Sequence, residues 1–283
     1  MPLRCGDICC FAQIFLRCCV CKKFEETIGM KQHAAPKAVK AILLIYAFNA
    51  CICFVSAGPE TAPDHKDIRY SKKYKRSTLD VWLSEGTNKV PLVVYFHGGG
   101  FKNGDKSRFQ RKALLRKHRS KGIAFASVNY PFVKDAGYVE IMAHAAKSIK
   151  FIRSRSNEWR IDAENIAVMG TSAGAMIAEY ITYWTDSGIK ACYAEQQPHH
   201  SWFLLACIRE GSPPLMLYTW SGKKDRVHNP DHAIQFKKHC DKFGVECKIY
   251  GSGSSGLPSL PEGTSIEAVV MRFFRKRWKK SNK

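Results

Sequence analysis

The chain has 283 residues, 45% of them hydrophobic, which allows a substantial core and excludes a disordered or fibrous protein. Its 45 Lys/Arg against 24 Asp/Glu give a formal charge of +21. That excess suits an anionic polymer or surface as partner, or simply a solvated basic exterior, and defines no function by itself. Residues 1–57 hold seven basic and three acidic residues, so the excess belongs to the rest of the chain.

Residues 31–57 have the organisation of a secretory signal. Lys31, Lys37 and Lys40 precede an apolar run over 41–55, and Val55-Ser56-Ala57 supplies the small residues of a cleavage site. Met30, directly before this segment, is the expected true start. The domain plan is therefore an N-terminal extension and signal over 1–57, a polar, Pro-containing linker over 58–68, and one domain over 69–283. The expected location is secreted or periplasmic, with an uncleaved membrane anchor as the alternative. The apolar run is short for a transmembrane helix. Eight of the 12 cysteines lie in residues 1–53, without a clean pair of Cys-x-x-Cys motifs or a His partner at finger spacing. Acylation or a misplaced start explains them better than zinc. Cys192, Cys207, Cys240 and Cys247 remain for the domain, either as buried thiols or, for Cys240 and Cys247, as a local bridge.

In chain order, short strands are expected at 69–70 and 79–83, and a buried strand at 91–96. A very basic helix follows over 107–121, then a strand over 123–128 and a helix over 138–156. Asp162 can cap a turn before a buried strand at 166–170. A helix rich in small residues begins after Ser172. Further strands fall at 191–194, 214–220 and 245–250, and further helices at 231–243 and 263–280. Buried apolar strands alternating with helices indicate a mostly parallel central sheet with helices on both faces. Reactive groups then gather in loops at the carboxyl ends of the strands.

Two glycine-rich segments carry the chemistry. Gly170-Thr171-Ser172-Ala173-Gly174 lies between a strand and a helix, where a serine on a sharp turn needs small neighbours and projects from the sheet. His97-Gly98-Gly99-Gly100 follows an earlier strand. The backbone N–H groups of Gly99 and Gly100, with that of Ala173, can form an oxyanion hole. His97 reads as structural and not as a base.

These segments resemble the α/β-hydrolase superfamily. The nearer likeness is to the hormone-sensitive-lipase and feruloyl-esterase-like branch of secreted bacterial esterases. It rests on Tyr95-Phe96-His97-Gly98-Gly99-Gly100-Phe101, Asn129-Tyr130, Ile161-Asp162 and the Ser172 turn, and it covers roughly residues 68–275. The resemblance implies an α/β-hydrolase fold and ester hydrolysis by a Ser/His/acid triad. Its Gly-x-x-Asp segment falls on Gly222-Lys223-Lys224-Asp225, which makes Asp225 the acid. The histidine it implies after the last strand is absent: Ser254 and Ser255 stand there, in Gly251-Ser252-Gly253-Ser254-Ser255-Gly256. No histidine follows His239.

Without a base a serine hydroxyl is a poor nucleophile. His228 is the favoured replacement, with Asp225 or Asp231 as its acid; His199 and His200 are the alternatives. His232 and His239 fall within a helix. Two functions follow. One is a serine carboxylesterase-like hydrolase acting on a small or carbohydrate-linked ester through Ser172, Asp225 and His228. The other is a catalytically impaired hydrolase-fold protein that binds a ligand or an anionic polymer. Residues 272–283 hold seven basic residues and no acid, and read as a closing helix or as a contact for an anionic surface. No cofactor, metal or specific nucleic-acid partner is indicated.

Overall fold

The computed structural model describes residues 62–278, apart from 112, 200 and 201. The leader, its cysteines and the expected signal sequence lie outside the described residues, as do the last five residues of the basic tail. Among the described residues no helix is long and apolar enough to cross a membrane.

Eight strands form one sheet: β1 (His65–Arg69), β2 (Thr78–Trp82), β3 (Val90–Phe96), β4 (Ala124–Val128), β5 (Ile161–Thr171), β6 (Ala191–Glu195), β7 (Leu215–Thr219) and β8 (Cys247–Gly251). Their order across the sheet is β1-β2-β4-β3-β5-β6-β7-β8. The pairs β1–β2 and β2–β4 are antiparallel, and every other pairing is parallel. The expected mostly parallel sheet is thus present, and its parallel centre carries β3, β5, β6 and β7 side by side.

Both faces are buried. Leu92, Val94 and Phe96 of β3 point to one face, where α2 (Tyr138–Ser154), α3 (Ala173–Glu179) and α5 (Asp231–Lys242) pack. Val93 and Tyr95 point to the other, covered by α1 (Ala113–His118) and α6 (Ile266–Arg275). This is why the central strands read as continuous apolar runs and not as alternation. A short helix, α4 (Trp202–Leu205), lies between β6 and β7. In α6 the apolar face of Val269, Val270, Met271, Phe273 and Phe274 is buried, so this part of the basic tail is a closing helix.

Several boundaries differ from those expected. The first strand begins at His65, inside the stretch read as a linker, because its pairing with Val81 of β2 draws residues 65–69 into the sheet. The basic segment over 107–121 is not one helix. It is a 3-10 turn at Lys106–Arg111, the short α1, and a second 3-10 turn at Arg119–Lys121. No acidic residue stands in the first turn of any of the three, and the ion pairs of this stretch, Lys106 with Asp67 and Asp80 and Arg119 with Asp64, run to other segments and not along a helix. Asp162 does cap a turn: it accepts from the Glu164 N–H (3.0 Å) and the Asn165 amide (2.8 Å), within β5 as it runs from Ile161. Cys192, Cys207, Cys240 and Cys247 are free thiols, so the local bridge is not formed.

The helix after Ser172 can lie on the sheet only because of two glycines. A Cβ on Gly170 would sit 2.0 Å from the Gly174 carbonyl oxygen, and one on Gly174 would sit 2.1 Å from the Phe96 carbonyl oxygen. Both obstacles are backbone and cannot swing aside. Gly170→Ala and Gly174→Ala are each expected to destabilise the fold by about 3 kcal/mol or more, as overpacking against backbone does. Urea denaturation monitored by tryptophan fluorescence would check this; a midpoint unchanged in both variants would contradict the packing described.

Candidate active site

Ser172 occupies the turn between β5 and α3 with φ 54° and ψ −117°. A non-glycine residue there carries strain on the order of 1–3 kcal/mol. The strain is held on two sides. The Ser172 N–H donates to the Glu195 carbonyl of β6 (2.9 Å), and the Ser172 carbonyl accepts the N–H of Ala175 (2.8 Å) as α3 begins. The helix continues through one π-helical turn at Tyr180–Trp184.

The loop after β3 lies against this turn. A Cβ on Gly98 would meet the Thr171 carbonyl oxygen at 2.8 Å, so the two segments touch through backbone. Gly99 and Gly100 both have positive φ, 127° and 60°. Among the described residues, the N–H groups of Gly99, Gly100 and Ala173 have no protein acceptor. The expected oxyanion donors are therefore close to the Ser172 turn and unengaged.

His97 braces this loop from below. It is fully buried, and its Nδ1 lies 2.8 Å from the Gly98 carbonyl oxygen. Its ring stacks on Tyr130 at 4.4 Å, and the Tyr130 hydroxyl donates to the His97 carbonyl. The Arg76 guanidinium approaches His97 Nε2 (3.4 Å) and donates to Gly104 O (2.9 Å) and Asn129 Oδ1 (3.0 Å). His97 has no contact with Ser172 of the kind a base makes, and its role is structural.

The loop after β7 supplies the remaining groups. His228 Nε2 lies 3.0 Å from Ser172 Oγ, and His228 Nδ1 lies 3.4 Å from Asp225 Oδ2. Asp225 and His228 are three residues apart, which requires the chain to fold back sharply. Asp225 makes that turn itself: its Oδ1 accepts the backbone N–H of Val227 (2.8 Å) and of His228 (2.9 Å). Its Oδ2 accepts the Ser221 hydroxyl at 2.7 Å. The His228 N–H, the Ser221 hydroxyl and the Val227 N–H together hold the Asp225 carboxyl well below the usual carboxylate range. It is an anion throughout the neutral range.

The other candidates stand elsewhere. His199 donates its backbone N–H to Val227 O (2.8 Å), beside this loop, but its ring packs on that of His232 at 4.6 Å. His200 lies outside the described residues. His239 packs against Phe243 on α5, and Asp231 faces Lys223 at 3.9 Å and not His228. Ser255 is buried, donates to Ser252 O (2.6 Å) and accepts the Leu257 N–H (3.1 Å). Ser254 donates to Trp220 O (2.8 Å). Ser255 thus serves its loop's own fold, and Ser254 ties that loop to the one after β7. Among the described residues no group of three or more His, Cys, Asp or Glu is arranged to hold a metal.

Gln196 and Ser221 were not singled out from the sequence, yet both join the network behind Asp225. The available signal was Glu195-Gln196-Gln197, three polar residues at the carboxyl end of a strand with no exposed face.

A strained serine between a parallel strand and a helix, with glycine donors on the neighbouring strand's loop, defines the α/β-hydrolase fold class. The BD-FAE family model matches residues 79–234, more than half of the chain and including the loops after β3, β5 and β7. The chain belongs to the BD-FAE family, an α/β-hydrolase esterase family, in keeping with the resemblance read from the sequence. Gut esterase 1 of Caenorhabditis elegans is 24% identical over 163 residues, which are 52% of this chain and 29% of that protein. The match thus spans less than a third of that relative's length. Among solved structures, an esterase of Thermogutta terrifontis aligns with a TM-score of 0.61 at 16% identity, covering 77% of this chain and 96% of its own. A truncated carbohydrate esterase from gut microbiota aligns with a TM-score of 0.64 at 14% identity, covering 78% and 98%. At those identities the structures show a shared fold.

The site has a measurable pH signature. Burial is the main cause that lowers His97, to about 4, against the Gly98 carbonyl, which favours its charged form. The unfolded chain binds that proton near pH 6.5 and the native one does not. Stability from this group is complete above pH 6.5 and is lost as the pH falls toward 4, by about 3 kcal/mol in all. Unfolding free energies at pH 7.5 and 4.5 should differ by less in His97→Gln than in the parent protein. Equal differences would remove His97 as the source.

Proposed function

We propose that the protein is a serine carboxylesterase acting on small or carbohydrate-linked esters, with Ser172 as nucleophile, His228 as base and Asp225 as acid. The observation that carries this reading is the 3.0 Å separation of Ser172 Oγ and His228 Nε2, within reach for direct proton transfer. Against the alternative, an impaired enzyme that binds a ligand or anionic polymer, the reading is supported by a histidine in hydrogen-bond contact with Ser172.

The chemistry follows from the geometry. His228 Nε2 takes the Ser172 proton as Oγ attacks the ester carbonyl carbon. The imidazolium that forms is stabilised by the Asp225 anion. The carbonyl oxygen gains charge beside the N–H groups of Gly99, Gly100 and Ala173. Collapse of the tetrahedral species breaks the bond to the alcohol oxygen, which leaves with the proton from His228. Water then attacks the acyl-serine by the same steps, releasing the acid and restoring Ser172.

The surroundings of the serine bear on substrate size. Only β6 and the short α4 lie between the helix after Ser172 and β7, so the described residues place no cap domain over the site. Exposed Trp220 and Val227 lie in the loop after β7, and exposed Tyr138, in contact with Phe101, lies near the oxyanion loop. An open mouth with an apolar rim suits a small acyl group on a larger, solvated alcohol, and the carbohydrate esterase among the structural neighbours shares that fold.

Purified protein is expected to hydrolyse p-nitrophenyl acetate. Ser172→Ala should abolish turnover, and His228→Gln should lower kcat by about a thousandfold or more. Absence of turnover across short and medium acyl chains would refute the reading.

A further inference from the structure

Gln196 follows β6 directly, at the same sheet edge as Ser172 and in contact with the loop that bears Asp225 and His228. It is almost wholly buried and has φ 50°, a conformation few non-glycine residues adopt without support. Its backbone N–H donates to Tyr218 O (2.8 Å). Its side chain reaches across β7. Oε1 accepts the Trp220 N–H (2.8 Å), with the Thr219 hydroxyl and the Ser221 N–H (3.4 Å) also directed at it. Nε2 donates to Ser221 Oγ at 2.7 Å.

These bonds have a definite direction. The Trp220 N–H can only donate, so the oxygen of the Gln196 amide must face it and the NH₂ must face Ser221. Ser221 Oγ then accepts a hydrogen bond from Gln196 and has its own O–H to donate. That O–H donates to Asp225 Oδ2, at 2.7 Å. The carboxylate oxygen so held is the one that faces His228 Nδ1.

Resting on the reading of Ser172, His228 and Asp225 as the reacting groups, we infer that Gln196 is a positioning residue: through the Ser221 hydroxyl it orients the carboxylate that sets the tautomer and direction of His228. Because acid and base share one loop, an anchor on the carboxylate helps to place both of them against Ser172. Gln196 touches no reacting atom, and its effect reaches the chemistry only through Ser221.

The test uses the full chain and four variants. Ser221→Ala removes only a hydroxyl at a partly exposed loop position. Gln196→Met keeps the bulk and removes both the acceptor and the donor. Each is expected to lower kcat by about tenfold with KM within about twofold, and the double variant to be no worse than about twofold below the lower single. Ser221→Thr, which retains the hydroxyl, should stay within about twofold of the parent. The proton NMR resonance of His228 Nδ1–H provides a readout independent of turnover: it should move upfield or vanish in Ser221→Ala and Gln196→Met and persist in Ser221→Thr. An unchanged resonance with unchanged kcat per folded molecule in both single variants overturns the inference, as do losses that multiply to about a hundredfold in the double. A parent protein without esterase activity refutes the proposed function alone, since the resonance still reports whether Gln196 and Ser221 hold His228.

Discussion

Between the Phe96 carbonyl oxygen and the α carbon of Gly174 there is no room for a methyl group, and the placement of Ser172 and of the glycine loop beside it follows from that contact. It brings the first turn of α3 down onto the end of β3. The chain leaving β5 must therefore turn within one residue, and Ser172 takes up the strain of doing so. The same closeness brings the glycine loop after β3 beside the serine, with backbone against backbone. Ser172 and the glycine N–H groups proposed as oxyanion donors are thus set by main-chain packing, which loses little precision through side-chain motion.

The proposed base is held by a different kind of force. His228 sits on a loop, where apolar packing is thin and hydrogen bonds must supply the order. Asp225 supplies most of them, through both of its oxygens. Carboxylate bonds to backbone N–H groups are stronger than neutral ones. The charge that stabilises an imidazolium is therefore also the charge that folds the loop. In the arrangement the resemblance implied, acid and base come from separate loops. Here the segment after β8 keeps only a structural duty, and Ser255 closes it upon itself.

Much of this was legible in the residues. The Ser172 turn and the glycine run could be read because their requirement, the absence of side chains, is a property of sequence. The parallel centre of the sheet could be read because strands buried on both faces are uniformly apolar. His228 could only be nominated beside His199 and His200. What separates them is the Asp225 turn, a local hydrogen-bond pattern that leaves no periodic mark, and the packing of the His199 ring on His232. Gln196 went unnoticed because its importance lies in a backbone angle and in contacts 25 residues downstream with Ser221. The basic stretch over 107–121 misled for the opposite reason. Its composition suits a helix, but only Phe109, Leu114 and Leu115 among its described apolar side chains reach the core, too few to hold one continuous helix against its own charge.

The short span between Asp225 and His228 has a thermodynamic consequence. Were acid and base on separate loops, fluctuation of either would leave a partly assembled site. With both on one segment, a single local opening withdraws them together, and the fraction of molecules competent at any instant is one two-state population. Amide hydrogen exchange at Val227 and His228, whose N–H groups are both bound by Asp225, would measure that population directly. On the proposed mechanism, anything that binds and stiffens the loop scales the number of working molecules while leaving the chemistry of each unchanged.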